Sequence, residues 1–447
     1  MDKLATQDRG VLPFDVTHRL VLSVAVPMML AYLTTPLIGI VDTAVVGQLG
    51  DAALLGGLAA GAIVFDVVFN TFNALRSSTT GLVAQAFGRG DSVEERAILM
   101  RSLIASAGIG IVLALLTPAV IAAGVWFISP EPEVAEAMRR YIGIRMLAAP
   151  LTLINFSILG YVLGRGEGNL GLAIQLLLNG TNIALSILLG LKLGWGLEGV
   201  AWGTVGGEAL AALAGLAIIV RRSAGMPRLT RARLLDTKAL LRMLALNGDI
   251  MIRSFSLLAA FALFTRQGAQ LGTVTLAANA VLMNFFLVSG YFLDGFATAA
   301  EQLAGRAVGA RYAPAFQRAI RLTCLWGFAL SGVCAAVFLL GGDSFIRLIT
   351  TAPEVREAAT LYLPWAALTA VSGVLAFQMD GVFIGATWSR DMRNMMLLSL
   401  AIFVFWLVVV GARFGNHGLW AALHIFLITR GVSLAAILPR RARQTFA

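Results

Sequence analysis

The amino-acid sequence predicts an all-α, polytopic membrane protein of twelve transmembrane helices, arranged as two pseudo-symmetric six-helix lobes. Three observations predict it. Of the 447 residues 58% are hydrophobic and 13% charged, against about 25% charged in soluble domains. The apolar residues fall in twelve long runs, on the scale of the roughly 20 residues a helix needs to cross a bilayer. Short motifs recur at about half the chain length. The net charge of +10 invites a nucleic-acid reading, but the basic residues stand in short clusters between apolar runs. That is the pattern of loops under the positive-inside rule, and no nucleic-acid partner is expected.

The first helix, over 17–47, carries one carboxylate, Asp42, within the stretch TPLIGIVDTAVVGQLG from Thr35 to Gly50. An acid at mid-membrane depth costs about 2.5–3.5 kcal/mol on translocon scales, so it must be paired, protonated or facing a wet cavity, and is functional by default. Pro27 and Pro36 remove backbone donors here, which predicts a bend beside a cavity or beside neighbours that satisfy the freed carbonyls. The second helix, 52–87, holds Asp66, Asn70, Asn73 and Arg76; the third covers 95–127. The fourth, 133–163, approaches its end with Gly160 and Gly164, whose GxxxG spacing allows close helix packing. The following turn, GEGNLG from Gly166 to Gly171, matches a dinucleotide fingerprint but joins two membrane helices and lacks the preceding strand such a site needs. The fifth helix, 169–191, bears Gln175, Asn179, Asn182 and Ser186, the last two four apart on one face. The sixth, 197–220, bears Thr204 and Glu208. For these polar residues the plain alternative to a binding role is interhelical hydrogen bonding, worth about 0.6 kcal/mol on average.

The basic segment from Arg221 to Arg242 contains no long apolar run and reads as a cytoplasmic linker, 221–242, between an N-lobe over 1–220 and a C-lobe over 243–447. The seventh helix, near 240–270, carries Asp249 and Arg253 at the i, i+4 spacing of a local ion pair. The eighth, 274–305, holds Asn284, Asp294 and Glu301. The ninth, 315–347, contains both cysteines, Cys324 and Cys334; ten residues of helix separate them by about 15 Å, too far for a disulfide. The tenth, 354–386, carries Gln378 and Asp380. Asp380 has no helical partner before Arg390 and is the leading functional acid of this half. The eleventh and twelfth cover 392–413 and 417–438. His18, His417 and His424 are the only histidines, and none sits in a metal-ligand or triad-like context, so neither metal site nor catalytic constellation is expected. His424 reads either as a polar cavity group or as helix packing.

Sorting Lys and Arg by loop gives 23 on one side: Lys3, Arg9 and Arg19; Arg89, Arg96 and Arg101; Arg165; seven in the linker; Arg306, Arg311, Arg318 and Arg321; Arg390 and Arg393; Arg440, Arg441 and Arg443. The other side receives 7: Arg139, Arg140, Lys192, Arg266, Arg347, Arg356 and Arg413. Both termini are then cytoplasmic. The polar N-terminus lacks the apolar core and cleavage site of a secretory signal, so the first run is expected to be retained as a span.

Gln85-Ala-Phe-Gly-Arg89 recurs as Gln302-Leu-Ala-Gly-Arg306, and Pro132-Glu-Val-Ala-Glu-Ala137 as Pro353-Glu-Val-Arg-Glu-Ala358; Gly160 and Gly164 match Gly381 and Gly385. The offsets are 217, 221 and 221. With six spans per half the repeats share an orientation and are related by an axis along the membrane normal, as in some transporters. Aligning Gln48-Leu-Gly50 on Gln270-Leu-Gly272 sets Phe264 opposite Asp42. The carboxylate therefore belongs to one half only, which suggests a coupling site in the N-lobe and a substrate cavity between the lobes.

Asp42 within IVDTAVVGQLG, the repeated Gln-x-x-Gly elements and the six-plus-six organisation resemble the multidrug and toxic compound extrusion (MATE) transporters. The segments LNGDIMIR, YFLDGFATAAEQLAGRAVGA and MDGVFIGA are similar to the DNA-damage-inducible F (DinF) branch. The resemblance covers essentially the whole chain. It implies a V-shaped pair of lobes, and secondary antiport that exports organic cations or amphipathic compounds against protons or sodium, with no cofactor. It places a proton- or sodium-coupling site on Asp42, Asn182 and Thr204, with Ser186 where some relatives have a second aspartate. Asp380 is similar in placement to a tenth-helix acid of other branches, and Asn179, Asp294, Glu301 and Gln378 join it as substrate-cavity candidates. A monomer surrounded by lipid in the inner (plasma) membrane is expected. Two rival classes share the hydropathy. A lipid-precursor flippase would show a strongly cationic central cavity and a lipid-facing groove; a membrane-embedded enzyme would alter its substrate chemically and would need the nucleophile or metal motifs lacking here.

The charge asymmetry makes a direct prediction. In a variant without Cys324 and Cys334, a cysteine replacing Ser223 labels only from the cytoplasm and one replacing Glu131 only from outside. The reverse pattern at either position overturns the twelve-span map.

Overall fold

Backbone in hydrocarbon finds no partner but itself, and the chain forms helices, with no strand among the described residues. The structure is a computed structural model that describes residues 11–224, 229–409 and 411–447. Lys3, Arg9, Arg228 and residues 225–228 of the linker lie outside the described residues. The helices of the first half are α1 (His18–Gly47), α2 (Ala52–Phe72), α3 (Ala74–Gly88), α4 (Ser92–Leu115), α5 (Thr117–Ile128), α6 (Pro132–Leu147), α7 (Ala149–Gly164), α8 (Gly168–Leu185) and α9 (Gly196–Ser223). Then follow α10 (Arg231–Leu234), α11 (Thr237–Gln270), α12 (Thr273–Gly309), α13 (Ala313–Ile349), α14 (Pro353–Ser372), α15 (Val374–Gly385), α16 (Ser389–Val409) and α17 (Gly415–Phe446). Eleven segments among the described residues are long and apolar enough to span a membrane, and α6 with α7, bent by 51°, make a twelfth.

Local chemistry sets the ends. Thr17 caps α1 by accepting from the Leu20 N–H at 3.2 Å, and Asp51 caps α2 through the Ala53 N–H at 2.8 Å. The repeated Gln-Leu-Gly motif closes α1 and α11 alike: Gly50 has φ +72° and Gly272 φ +111°, a region that favours glycine. Asp236 caps α11 through Lys238 N–H at 2.9 Å, so this helix starts inside the segment expected to be linker. Spans read as continuous are interrupted at Asn73, Leu116, Ala148 and Gly373. Pro118 and Pro150 explain two of these breaks, since each sits in the first turn of the following helix and cannot donate backward. Pro27 and Pro36 lie inside α1 without ending it, and α17 runs past Pro439 to Phe446.

The repeat reappears as packing. Within the first half α7 lies on α3: a Cβ on Gly160 would sit 2.5 Å from the Arg76 carbonyl and one on Gly164 2.8 Å from that of Thr80. Within the second half α15 lies on α12, with Gly381 against Ala297 and Gly385 against Glu301. The glycine pairs are thus close-approach sites, as their spacing predicted. The halves meet where Gly88 faces Arg306 and Gly305 faces Ala84, and Gln85 Nε2 donates across to the Gly385 carbonyl at 3.0 Å. Arg242 joins the same end, donating to Thr387 Oγ1 at 3.0 Å and to Gln85 Oε1 at 3.3 Å.

Substitution at these contacts separates tolerance from packing. Gly385→Ala must displace backbone of α12 and should destabilise the protein by about 1–3 kcal/mol, the usual scale of overpacking. Gly248→Ala meets nothing within 4 Å and should leave the midpoint of thermal unfolding in detergent unchanged or raised.

Candidate functional site

Gly199, Gly203 and Gly207 recur every four residues along one face of α9 and let α8 and the turn that follows it settle against it; a Cβ on Gly203 would lie 2.8 Å from Ser186 Oγ. This approach brings α8 side chains to α9. Asn182 Nδ2 donates to Thr204 Oγ1 at 3.1 Å, and Ser186 Oγ donates to Asn182 Oδ1 at 3.2 Å. Ser186 opens a π-helical turn, Ser186–Lys192, in which the Leu193 N–H reaches the Leu188 carbonyl at 2.9 Å. Asp42 of α1 faces Ser186 and is 4% exposed, and its Oδ1 has no hydrogen-bond partner among the described residues. Asp42, Asn182, Ser186 and Thr204 are therefore assembled in one place. Asn179, on a neighbouring face, is bound to Thr34 of α1 at 2.6 Å.

A cation stands beside this group. The Arg145 guanidinium of α6 lies 3.7 Å over the Phe65 ring, donates to the Tyr141 hydroxyl at 2.6 Å, and is within electrostatic reach of Asp42, Asp66 and Glu208. Glu208 is itself held by Asn155 Nδ2 at 2.6 Å.

Between the halves lies a second charged group. Arg76 of α3 approaches Glu301 of α12 at 3.6 Å, and Tyr32 of α1 shares a hydrogen bond with Thr298 at 3.1 Å. Asp294 stands within electrostatic reach of Arg76, Arg253 and Arg430. Asp380 is enclosed by two arginines: Arg253 of α11 donates to it at 2.6 Å, and Arg430 of α17 contacts it through Nη2. This corrects the expectation that Asp380 lacks a partner, which considered only its own helix. The local Asp249–Arg253 pair is also replaced. Asp249 takes Arg393 at 2.6 Å and Ser389 at 2.7 Å, both from α16, because a buried acid gains more from several donors than from one flexible neighbour. Gln378 is buried facing Gly327 of α13. His424 is committed to Ser372 and to the Trp365 carbonyl.

Arg145 and Arg430 did not emerge from the sequence. The signal was present: 34 basic residues less the 30 sorted into loops leaves four, Arg76, Arg145, Arg253 and Arg430, all inside spans. In the second half, Phe264 packs edge-on to Trp420 with centroids 5.2 Å apart, beside a 260 Å³ pocket lined in part by Asn279 and Asn284.

The MatE family model matches residues 27–188 and 250–410. The chain belongs to the MatE family. Its members are transporters rather than enzymes. The chain is 37% identical over 422 residues to the DNA damage-inducible protein F of Escherichia coli K12, covering 94% of this chain and 91% of that one. It is 25% identical over 457 residues to a probable multidrug resistance protein NorM of Chromobacterium violaceum, covering 95% and 94%. Among solved structures, an outward-facing multidrug resistance MATE transporter of the MOP superfamily superposes with TM-score 0.86 at 17% identity over 96% of both chains. A MOP superfamily transporter from Pyrococcus furiosus, described as having a binding pocket of reverse polarity, gives 0.88 at 18%, covering 96% and 97%. These two establish the shared fold.

The Asp380 assembly yields a stability prediction. Arg430→Gln leaves a buried acid with one arginine and should cost about 3–5 kcal/mol, read as a lowered unfolding midpoint in detergent. Asp380→Asn added to it should recover part of the loss; equal or greater loss in the double variant refutes the pairing.

Proposed function

We propose that this chain is a secondary antiporter of the inner (plasma) membrane that exports organic cations or amphipathic compounds in exchange for protons, with both termini cytoplasmic. The two lobes, over 1–220 and 243–447, alternate access to a cavity between them, and Asp42 is the coupling acid. The observation that carries this reading is the buried Asp42 carboxylate with one oxygen unpartnered beside the amide and hydroxyls of Asn182, Ser186 and Thr204. Leaving such an atom unsatisfied costs about 1–3 kcal/mol, which a proton or cation relieves when it occupies the site. An ion that binds one lobe arrangement better than the other shifts the balance between them by that difference in affinity. Names of the relatives support export: one is a probable multidrug resistance protein.

Protons are favoured over sodium on the composition of the site. A sodium ion needs several oxygens closing around it, whereas a proton needs one carboxylate. Ser186 stands where a second carboxylate would have added an anionic ligand, so Asp42 is the group's lone acid. No cofactor takes part; the ion gradient is the energy source.

In proteoliposomes, a pH gradient without sodium should drive export, and Asp42→Asn should abolish it while leaving folding and insertion intact. Export by a sodium gradient at equal pH would reassign the coupling ion. Full export by well-inserted Asp42→Asn protein would remove Asp42 from the mechanism, and activity with neither gradient would remove antiport.

A further inference from the structure

We infer that Arg76 is a built-in stand-in for the exported cation: its guanidinium fills a cation subsite between Glu301 and Asp294, and an organic cation takes that subsite only by displacing it. This rests on the antiport reading and names the subsite within that cavity.

The geometry of the pair is unlike that of other arginine–acid pairs in which at least one side chain is buried. Arg253–Asp380 and Arg393–Asp249 close at 2.6 Å, and Arg101–Glu94 at 2.8 Å. Arg76–Glu301 stays at 3.6 Å, with side chains only 13% and 3% exposed. Arg76 Nη1 and Glu301 Oε1 are both buried without a hydrogen-bond partner among the described residues. The attraction is present, but the hydrogen bonds that normally accompany it in a dry site are not.

Arg76 is instead tethered to its own helix. Nε donates to Asn73 Oδ1 at 3.1 Å and Nη2 to Ser77 Oγ at 3.0 Å. Asn73 occupies the break between α2 and α3, where an asparagine side chain ordinarily caps the next helix. It makes no cap bond there; its oxygen serves Arg76. Nε, Nη1 and Nη2 belong to one rigid planar fork, so the guanidinium withdraws from Glu301 only by also giving up its contact with Asn73 or Ser77.

The acids are arranged for something larger than a bare ion. Asp294 and Glu301 are seven residues apart on one face of α12, about 10 Å along its axis at 1.5 Å per residue. Asp294 makes no salt bridge among the described residues, whereas Asp380 is committed to two arginines. With Arg76 in place the six groups Arg76, Arg253, Arg430, Asp294, Glu301 and Asp380 sum to formal zero. An arriving monocation restores that balance only where Arg76 withdraws. Because Arg76 belongs to the first half and both acids to the second, filling the subsite from outside and loosening the contact between halves become one event.

The test is the affinity of the full-length protein for tetraphenylphosphonium, measured by equilibrium dialysis in detergent. Arg76→Gln should tighten binding about tenfold, or about 1.4 kcal/mol, and Glu301→Gln should weaken it by a similar factor. Asp294→Asn should weaken it too, which keeps the inference testable where Arg76→Gln does not yield folded protein. An uncharged amphipathic dye should bind all variants alike. A pair that merely latched the halves would respond in the same direction to loss of either partner. Same-direction shifts for Arg76→Gln and Glu301→Gln, or unchanged binding in Glu301→Gln and Asp294→Asn, overturn the inference and leave antiport standing if the wild type binds and exports the cation. A wild type that neither binds nor exports it overturns both.

Discussion

Charge withdrawn from water must be matched inside the bundle, and the helix arrangement follows from that demand. An unpaired ion at membrane depth is expensive, and truncating one partner of a buried pair costs about 3–5 kcal/mol. Asp380 therefore draws α11 and α17 onto α15, and Asp249 draws α16 onto α11. Arg145, which makes no salt bridge among the described residues, is covered by Phe65 and Tyr141. These contacts join segments far apart in sequence, so they specify which helices are neighbours, while apolar area alone would accept many arrangements.

Glycine contacts repeat in both halves, but the chemistry does not. Where the first half carries Asp42, the second carries Phe264 against Trp420, whose Nε1 donates to Asn279 at 2.9 Å. Asn279 Nδ2 donates to Asn416 Oδ1 at 2.7 Å and Asn416 Nδ2 donates back to Asn279 Oδ1 at 2.9 Å. Neutral amides and rings thus fill the counterpart of the charged site. The breaks are unequal too: α2 and α3 part at Asn73, whereas α12 runs unbroken for 37 residues. A shared backbone plan thus carries a carboxylate at this position in the first half and an aromatic ring with neutral amides at the matching position in the second.

Much of this was legible before the fold was known. Helix positions followed from hydropathy because membrane spans must satisfy their own backbone, and the glycine pairs announced close contacts because few other reasons place glycine at four-residue spacing in a helix. The gathering of Asn182, Ser186 and Thr204 followed from helical spacing together with the family resemblance. What stayed hidden was long-range choice. The break at Asn73 leaves no mark on hydropathy. The partners of Asp249 and Asp380 come from other helices; local spacing favoured the nearest arginine for Asp249 and offered none for Asp380. Arg145 and Arg430 escaped attention because each is a single basic residue within an apolar stretch.

The π-helical turn at Ser186–Lys192 carries a consequence for chain length. Such a turn holds about one residue more than an α-turn, so an α-helical version would rotate every later side chain by about 100°, given 3.6 residues per turn. Gly190, which now faces Val45 and Val200, would swing away, and the stretch to Gly196 would arrive at α9 out of phase. Loops absorb insertions and deletions; here a single residue gained or lost would misalign α1, α8 and α9 together. The number of residues between Asn182 and Gly196 is therefore under the same constraint as their identity.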